Sequence, residues 1–350
     1  MRLLIHRLGP GLGDVLRCMP ALDAARRRWP RAEITFATAD QYAPLFADCP
    51  HVDRVIAPAG RLGRRARPSL ANTYDVLIDL LAPAAEIERR LIGRLRTRAA
   101  QGRMLSRQEI FCQLVGAQPR DWIGRYSVTP PERTWADAYL HRAVNCGASF
   151  PQARPPGGRE SATTPSPLWG EGGMRGRIAH PHPTLSLEGR GVAAPIVAVQ
   201  RHAANPLRDW PWVDRLAERL RRVGCRAVIL DREMGITVRQ LAALIAACDL
   251  LVAPDSGPLH LAAPVGTPCL GLFGPTAPEV ICKHYPQHRW LTGIGRPGAC
   301  DRPCHGQPRP FCRRGAAPPP CLAALGVNEA LAAACRLLPL PAHQKAEKSP

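Results

Sequence analysis

The sequence predicts an α/β protein built from two parallel-sheet units that face each other across a cleft. Three observations carry that reading. Strand-length apolar runs alternate with helix-length amphipathic stretches in residues 1–150 and again in 195–338. A Pro-, Gly-, Ser- and Arg-rich segment, 151–194, separates the two. Each half also has a turn at the end of a strand where glycine or Asp-Ser-Gly opens a helix, the place where parallel sheets bind ligands. A chain of 350 residues with 45% hydrophobic content has enough apolar surface for two medium cores.

In order, Arg2 to His6 reads as a buried strand, Val15 to Trp29 as a helix, Glu33 to Ala37 and Val52 to Ile56 as strands, and Asp75 to Leu80 as a fourth strand. Residues 151–194, including His180-Pro181-His182-Pro183, cannot bury enough apolar surface to offset their ordering entropy. They are expected to be a disordered linker. Regular pattern resumes with a strand at Ile196 to Val199, an amphipathic helix at Trp212 to Val223 and a strand at Arg226 to Leu230. A helix at Val238 to Ala247 follows, then a strand from Leu250 to Ala253 that ends at Asp255. The polar tail 339–350 is expected to fray.

No run reaches the roughly 18 apolar residues of a membrane span, and the start is too short in apolar residues for a signal peptide, so a cytoplasmic protein is expected. The net charge of +19 comes almost wholly from arginine, since Lys283, Lys345 and Lys348 are the lysines. That skew reflects base composition as much as a partner. A cluster remains, because eleven arginines lie between Arg61 and Arg107 against Asp75, Asp79, Glu86 and Glu88. Two readings stay open for it: a solvated face, or a surface for anions such as a phosphorylated glycolipid or the inner face of the cytoplasmic membrane.

Two junctions could carry chemistry. In His6-Arg7-Leu8-Gly9-Pro10-Gly11-Leu12-Gly13-Asp14, glycines let backbone approach a ligand, and Asp14 is either a helix cap or a functional carboxylate. The glycine spacing is not the dinucleotide fingerprint, which disfavours an NAD-dependent enzyme. In Asp255-Ser256-Gly257-Pro258-Leu259-His260, a strand ends at a carboxylate, Ser256 or Gly257 caps, and Pro258 suits the first turn. That arrangement offers amide donors and a carboxylate to a diphosphate beside a hydroxylated sugar. Pro264 predicts a short or kinked helix there.

Together with Gly266-Thr267-Pro268 and Phe273-Gly274-Pro275-Thr276-Ala277-Pro278, and with Gly13-Asp14 followed by Pro20, these segments resemble glycosyltransferase family 9, the lipopolysaccharide heptosyltransferase group. The resemblance implies a GT-B architecture of two Rossmann-like domains, an acceptor-binding domain at 1–150 and a nucleotide-sugar domain at 195–338. It also implies an inverting transfer without a bound metal from an NDP-sugar, ADP-heptose in the best-known members, to a glycolipid or lipopolysaccharide-core hydroxyl. Asp14 would be the general base. Asp255 would bind the donor sugar or the phosphate-proximal hydroxyls and the backbone amides at Ser256 to Leu259 the diphosphate, so that Ser256, Gly257, Pro258, Leu259 and His260 make up the donor-binding set with it. Gly13 would let the backbone approach. In Ala204-Asn205-Pro206-Leu207-Arg208-Asp209-Trp210-Pro211 the basic residue before Trp-Pro makes Arg208 the candidate phosphate ligand, with Arg201 second. The stretch Asp231 to Ile236 is shorter than its counterpart in family members, so a relative that binds nucleotide sugar without efficient turnover is the alternative.

Cys300, Cys304, Cys312 and Cys321, with His305 beside them, remain outside that scheme. Structural zinc, free or redox-active thiols, and disulfides are the open readings. A zinc-containing nucleic-acid-binding protein would use the charge and the cysteines but leave the Asp-Ser-Gly motif without a purpose, so no nucleic acid is expected.

Overall fold

The structure, a computed structural model, describes residues 1–9, 11–58, 73–87, 104–145, 194–304, 312, 314–315 and 318–338. The segment 151–194 apart from Ala194, the tail 339–350, Pro10, His305 and the arginine cluster apart from Arg107 lie outside those residues.

Two wholly parallel sheets form, in keeping with the α/β class read from the sequence. The first consists of β1 (Arg2–Arg7), β2 (Glu33–Thr38), β3 (Arg54–Ile56) and β4 (Val76–Asp79), in the order β3-β2-β1-β4. Leu3, Leu4 and Ile5 are fully buried because β1 is covered on both faces, the usual state of a central parallel strand. The second consists of β5 (Ile196–Gln200), β6 (Arg226–Leu230), β7 (Leu250–Pro254), β8 (Cys269–Phe273) and β9 (His288–Thr292), in the order β6-β5-β7-β8-β9. In each sheet the chain changes direction of winding beside its first strand, so the crevice next to β1 and the crevice next to β5 are the binding positions the topology offers.

The helix expected from Val15 to Trp29 is two helices, α1 (Leu12–Leu16) and α2 (Met19–Arg28). Pro20 is the cause: it has no N–H to give to the preceding turn, and it sits comfortably only at the start of a new helix. Helix α3 (Arg107–Val115) packs on α2, and α4 (Pro130–Asn145) follows it. Beyond the linker, α5 (Val213–Arg222), α6 (Val238–Ala246) and α7 (Gly257–Val265) alternate with the strands of the second sheet, and α8 (Val327–Leu337) returns to pack on α5. Pro264 lies in the last turn of α7, and Gly266 closes that helix with φ 84°, a left-handed conformation that glycine adopts without strain.

Helix α4 belongs to the first 150 residues but packs on α6 and β6 of the second sheet. Apolar packing accordingly runs without a break from Leu3, Ile34 and Phe36 through Leu12 and Val15 to Leu244, Leu259 and Leu261. The other face of the second sheet has its own core, where Val197, Val199 and Leu250 meet Leu216, Leu220 and Leu325.

Candidate functional site

At the end of β1 the chain turns through Gly9 and Gly11 into α1, whose N-cap is Gly11. Asp14 falls inside the first turn rather than at the cap, so its carboxylate is free to be used elsewhere. Arg7 donates from Nη2 to Oδ2, Arg107 from Nη1 to Oδ1, and Arg17 from Nη2 to Oδ1 at 2.6 Å. Arg17 also donates from Nε to the Gly13 carbonyl at 3.2 Å, which ties the cage to the helix backbone. Asp14 is buried. Burial alone would raise its pKa, but the charges of Arg107, Arg7 and Arg17 outweigh that and hold the carboxyl far below the usual range. It is ionised at any physiological pH.

On the second sheet, β7 leads through Asp255 to the N-cap Ser256 of α7. Ser256 makes no side-chain cap; its hydroxyl donates to Oε1 of Gln200 at 2.6 Å and lies 3.2 Å from the Pro254 carbonyl. The opening amides of α7 therefore keep their donor capacity, which a helix start turns toward anions. Gly257, Pro258 and Leu259 form that buried first turn. Arg208 stands at the end of a short 3-10 turn, Pro206–Arg208, capped by Asn205. Its Nη1 donates to the Asp255 carbonyl at 3.2 Å and lies 3.7 Å from Oδ2 of the same residue. Nε2 of His260 is 3.9 Å from Oδ1 of Asp255, and its Nδ1 is 2.9 Å from the Tyr285 hydroxyl. Burial first, and then the nearby Arg17 charge, push the His260 pKa well below its ordinary value, so the ring is neutral.

Helix α1 packs directly on α7. The sequence-predicted residues Asp14 and Asp255 to His260 thus approach each other from the two sheets, with Arg208 beside Asp255. Arg201 is not brought to this cluster. Its guanidinium is held bidentate by Asp214 at 2.7 Å and by Asp231 at 3.1 Å from Nε. Short as it is, the stretch after β6 forms a 3-10 turn, Arg232–Met234, whose cap Asp231 is the residue that pairs with Arg201. The cage arginines, Gln200 and Tyr285 were not anticipated. Arg107 reaches Asp14 from 93 residues away, a separation that leaves no local pattern to read.

The four late cysteines converge. Cys300, Cys304, Cys312 and Cys321 line one cavity of about 160 Å³ together with Leu207 and Pro275. Among the described residues no group of three or more His, Cys, Asp or Glu side chains is arranged to hold a metal ion. Burial, reinforced by the neighbouring Cys300, Cys304 and Cys312, pushes the Cys321 thiol up to about 12. In that setting the Cys321 thiol stays protonated.

Residues 213–289 match the model of glycosyltransferase family 9, the heptosyltransferases. Over that stretch the chain is similar to the family 9 heptosyltransferases. That stretch contains Asp255 to His260 and the Phe-Gly-Pro-Thr segment, whereas Asp14 and Arg208 lie outside it. Over 36 residues, about 10% of each chain, the protein is 53% identical to the lipopolysaccharide core heptosyltransferase OpsX of Haemophilus influenzae. The fold is similar to that of E. coli ADP-heptose lps heptosyltransferase II, with a TM-score of 0.58 and 16% identity over 100% of both chains. A glycosyl transferase family 9 structure from Veillonella parvula DSM 2008 matches with a TM-score of 0.55 and 18% identity, over 83% of this chain and 85% of that one. At these identities the family 9 structures speak for the fold, a GT-B arrangement of two parallel sheets. Among the described residues no helix is long and apolar enough to cross a membrane.

Proposed function

We propose that the protein is an inverting, metal-independent glycosyltransferase that moves a heptose-like sugar from a nucleotide-diphosphate donor to a lipopolysaccharide-core or related glycan hydroxyl. One observation supports the reading: an ionised buried carboxylate, Asp14, sits on the helix after the first strand, that helix packs on the one that opens after Asp255, and Arg208 lies beside Asp255. In this scheme residues 1–150 contribute the acceptor side and residues 195–338 the donor side. The acceptor hydroxyl loses its proton to Asp14 as its oxygen bonds to the anomeric carbon. The bond from that carbon to the diphosphate breaks on the opposite face, and the released charge is taken by Arg208 and the opening amides of α7. Asp255, fixed by Arg208, orients sugar hydroxyls. Neutral His260 can donate or accept one hydrogen bond without adding charge next to the leaving group.

Relatives named for ADP-heptose and for lipopolysaccharide-core transfer support the donor class and the acceptor class. A cytoplasmic protein with peripheral contact to the inner membrane face fits an acceptor of that kind. The test is single-turnover transfer from ADP-heptose to a deacylated lipopolysaccharide-core oligosaccharide, followed as ADP release with and without chelator. Chelator-sensitive turnover overturns the metal-independent step. The short turn after β6 favours one second reading, a protein that binds nucleotide sugar without turnover. Saturable ADP binding with no ADP release from ADP-heptose would select it.

A further inference from the structure

Three guanidinium groups share the Asp14 carboxylate, whose two oxygens offer fewer acceptor positions than the three groups have N–H donors. Arg7 shows the shortfall. Its side chain is 7% exposed, yet Nε and Nη1 have no hydrogen-bond partner among the described residues. Buried charged donors without acceptors are costly, and an arriving anion would remove that cost. The backbone makes room for the group as well, since a Cβ at Gly9 would collide with Nη1 of Arg7. Arg7 ends β1, Arg17 caps α1 and Arg107 opens α3, so all three belong to the first sheet and its helices. The donor-side candidates Arg208 and Asp255 belong to the second.

We propose that Arg7, Arg17 and Arg107 form a binding site for an anionic group of the acceptor, a phosphate or a carboxylate, and that Asp14 fills it as a resident counter-ion until that group arrives. The consequence rests on the reading of Asp14 as the base. While caged, the carboxylate is a weak proton acceptor, because any proton must displace three favourable charges. An acceptor anion draws the guanidinium groups away, the carboxylate regains proton affinity, and the base is unmasked only when an acceptor of the right charge is seated. Neutral glycans would bind without being deprotonated.

Calorimetric titration of the full chain with inorganic phosphate, and separately with ADP, tests the site without using turnover. Asp14→Asn removes the competing carboxylate and is expected to bind phosphate at least about tenfold more tightly than the wild type, with ADP affinity within about twofold. Unchanged phosphate affinity overturns the proposal. An equal gain for ADP assigns the arginines to the donor diphosphate and overturns the acceptor assignment. Should Asp14→Asn fold poorly with three uncompensated cations, its thermal midpoint must rise with phosphate more steeply than that of the wild type; parallel curves overturn the proposal. Arg107→Gln, with Asp14 retained, is expected to lose phosphate affinity at least about fivefold, and no loss overturns it. Failure of the base reading looks different: Asp14→Asn that still transfers sugar sinks that role while the phosphate gain remains.

Discussion

At the scale of single residues, a carboxylate and a guanidinium have opposite parts in the proposed reaction, and each can be removed without adding bulk. Asp14→Asn keeps the shape of the side chain but cannot take a proton, so transfer should fall by about 10²–10⁴-fold, the usual contribution of a general base. Single-turnover ADP release measures it, and wild-type rates would end the assignment. Arg208→Ala removes a cation that is 3% exposed and contacts the Asp255 backbone. ADP binding should weaken by about 1.5–3 kcal/mol, the range for hydrogen bonds to charged groups. Calorimetry showing no loss would take Arg208 out of the site. The Asp255 to His260 side was legible in the sequence because six neighbouring residues share one strand-to-helix junction. Around Asp14, only Gly-Asp could be read. Two of its partners, Arg7 and Arg17, were local but indistinguishable from other arginines in a chain so rich in them, and Arg107 is joined to it only by the fold.

At the scale of elements, strands were read to within a residue or two where both faces are covered, as in β5, β6 and β7, because continuous apolar runs of that length have few other destinations. The break between α1 and α2 was missed because apolar periodicity carries across Pro20, although the missing N–H of that proline marks the boundary. Helix α3 is fixed at its start by reciprocal bonds. Glu109 N donates to Ser106 Oγ at 3.2 Å, and Ser106 N donates to Glu109 Oε2 at 2.6 Å. The same Glu109 pairs with Lys283, and His284 lies 3.6 Å away, so one carboxylate joins α3 to the second half of the chain. Burial raises its pKa, but His284, Lys283 and the Ser106 amide together bring it from 4.5 down to about 2. A depressed carboxyl stabilises the fold above its unfolded value and loses that contribution as pH falls through the folded one. Acid sensitivity from this group should therefore lie between about pH 4.5 and pH 2. Urea unfolding of the wild type and Glu109→Gln at pH 5 and pH 3 checks the sign. The variant should be the less stable at pH 5, and the gap should narrow at pH 3. A constant gap would mean that the Lys283 and His284 contacts do not depend on the charge of Glu109.

At the scale of the whole molecule, the contacts between the two sheets argue against two independent folding units. Helix α4 comes from the first half of the sequence and packs on α6, and the Tyr126 amide donates to the Pro264 carbonyl at 3.0 Å. Trp122 stacks on His284 with ring centroids 4.2 Å apart. Arg239 of α6 pairs through Nε with Glu132, and its Nη1 donates to the Pro44 carbonyl at 2.8 Å and lies 3.6 Å from Asp48. None of this was legible from periodicity, which reports which face of an element is apolar but not which sheet that face meets. Because the apolar core is continuous across these contacts, exposing one sheet would strip cover from the other. Heating should then give one calorimetric transition whose van't Hoff and calorimetric enthalpies agree, rather than two. Arg239→Gln cuts the bridge to Glu132 while keeping much of the side chain, and should cost about 1–3 kcal/mol. The decisive feature is the form of the change: the single transition should move to lower temperature without splitting. A variant that unfolds in two resolved steps would show that the interface is a docking contact between separately stable halves, and the cleft would then be free to open widely between substrates.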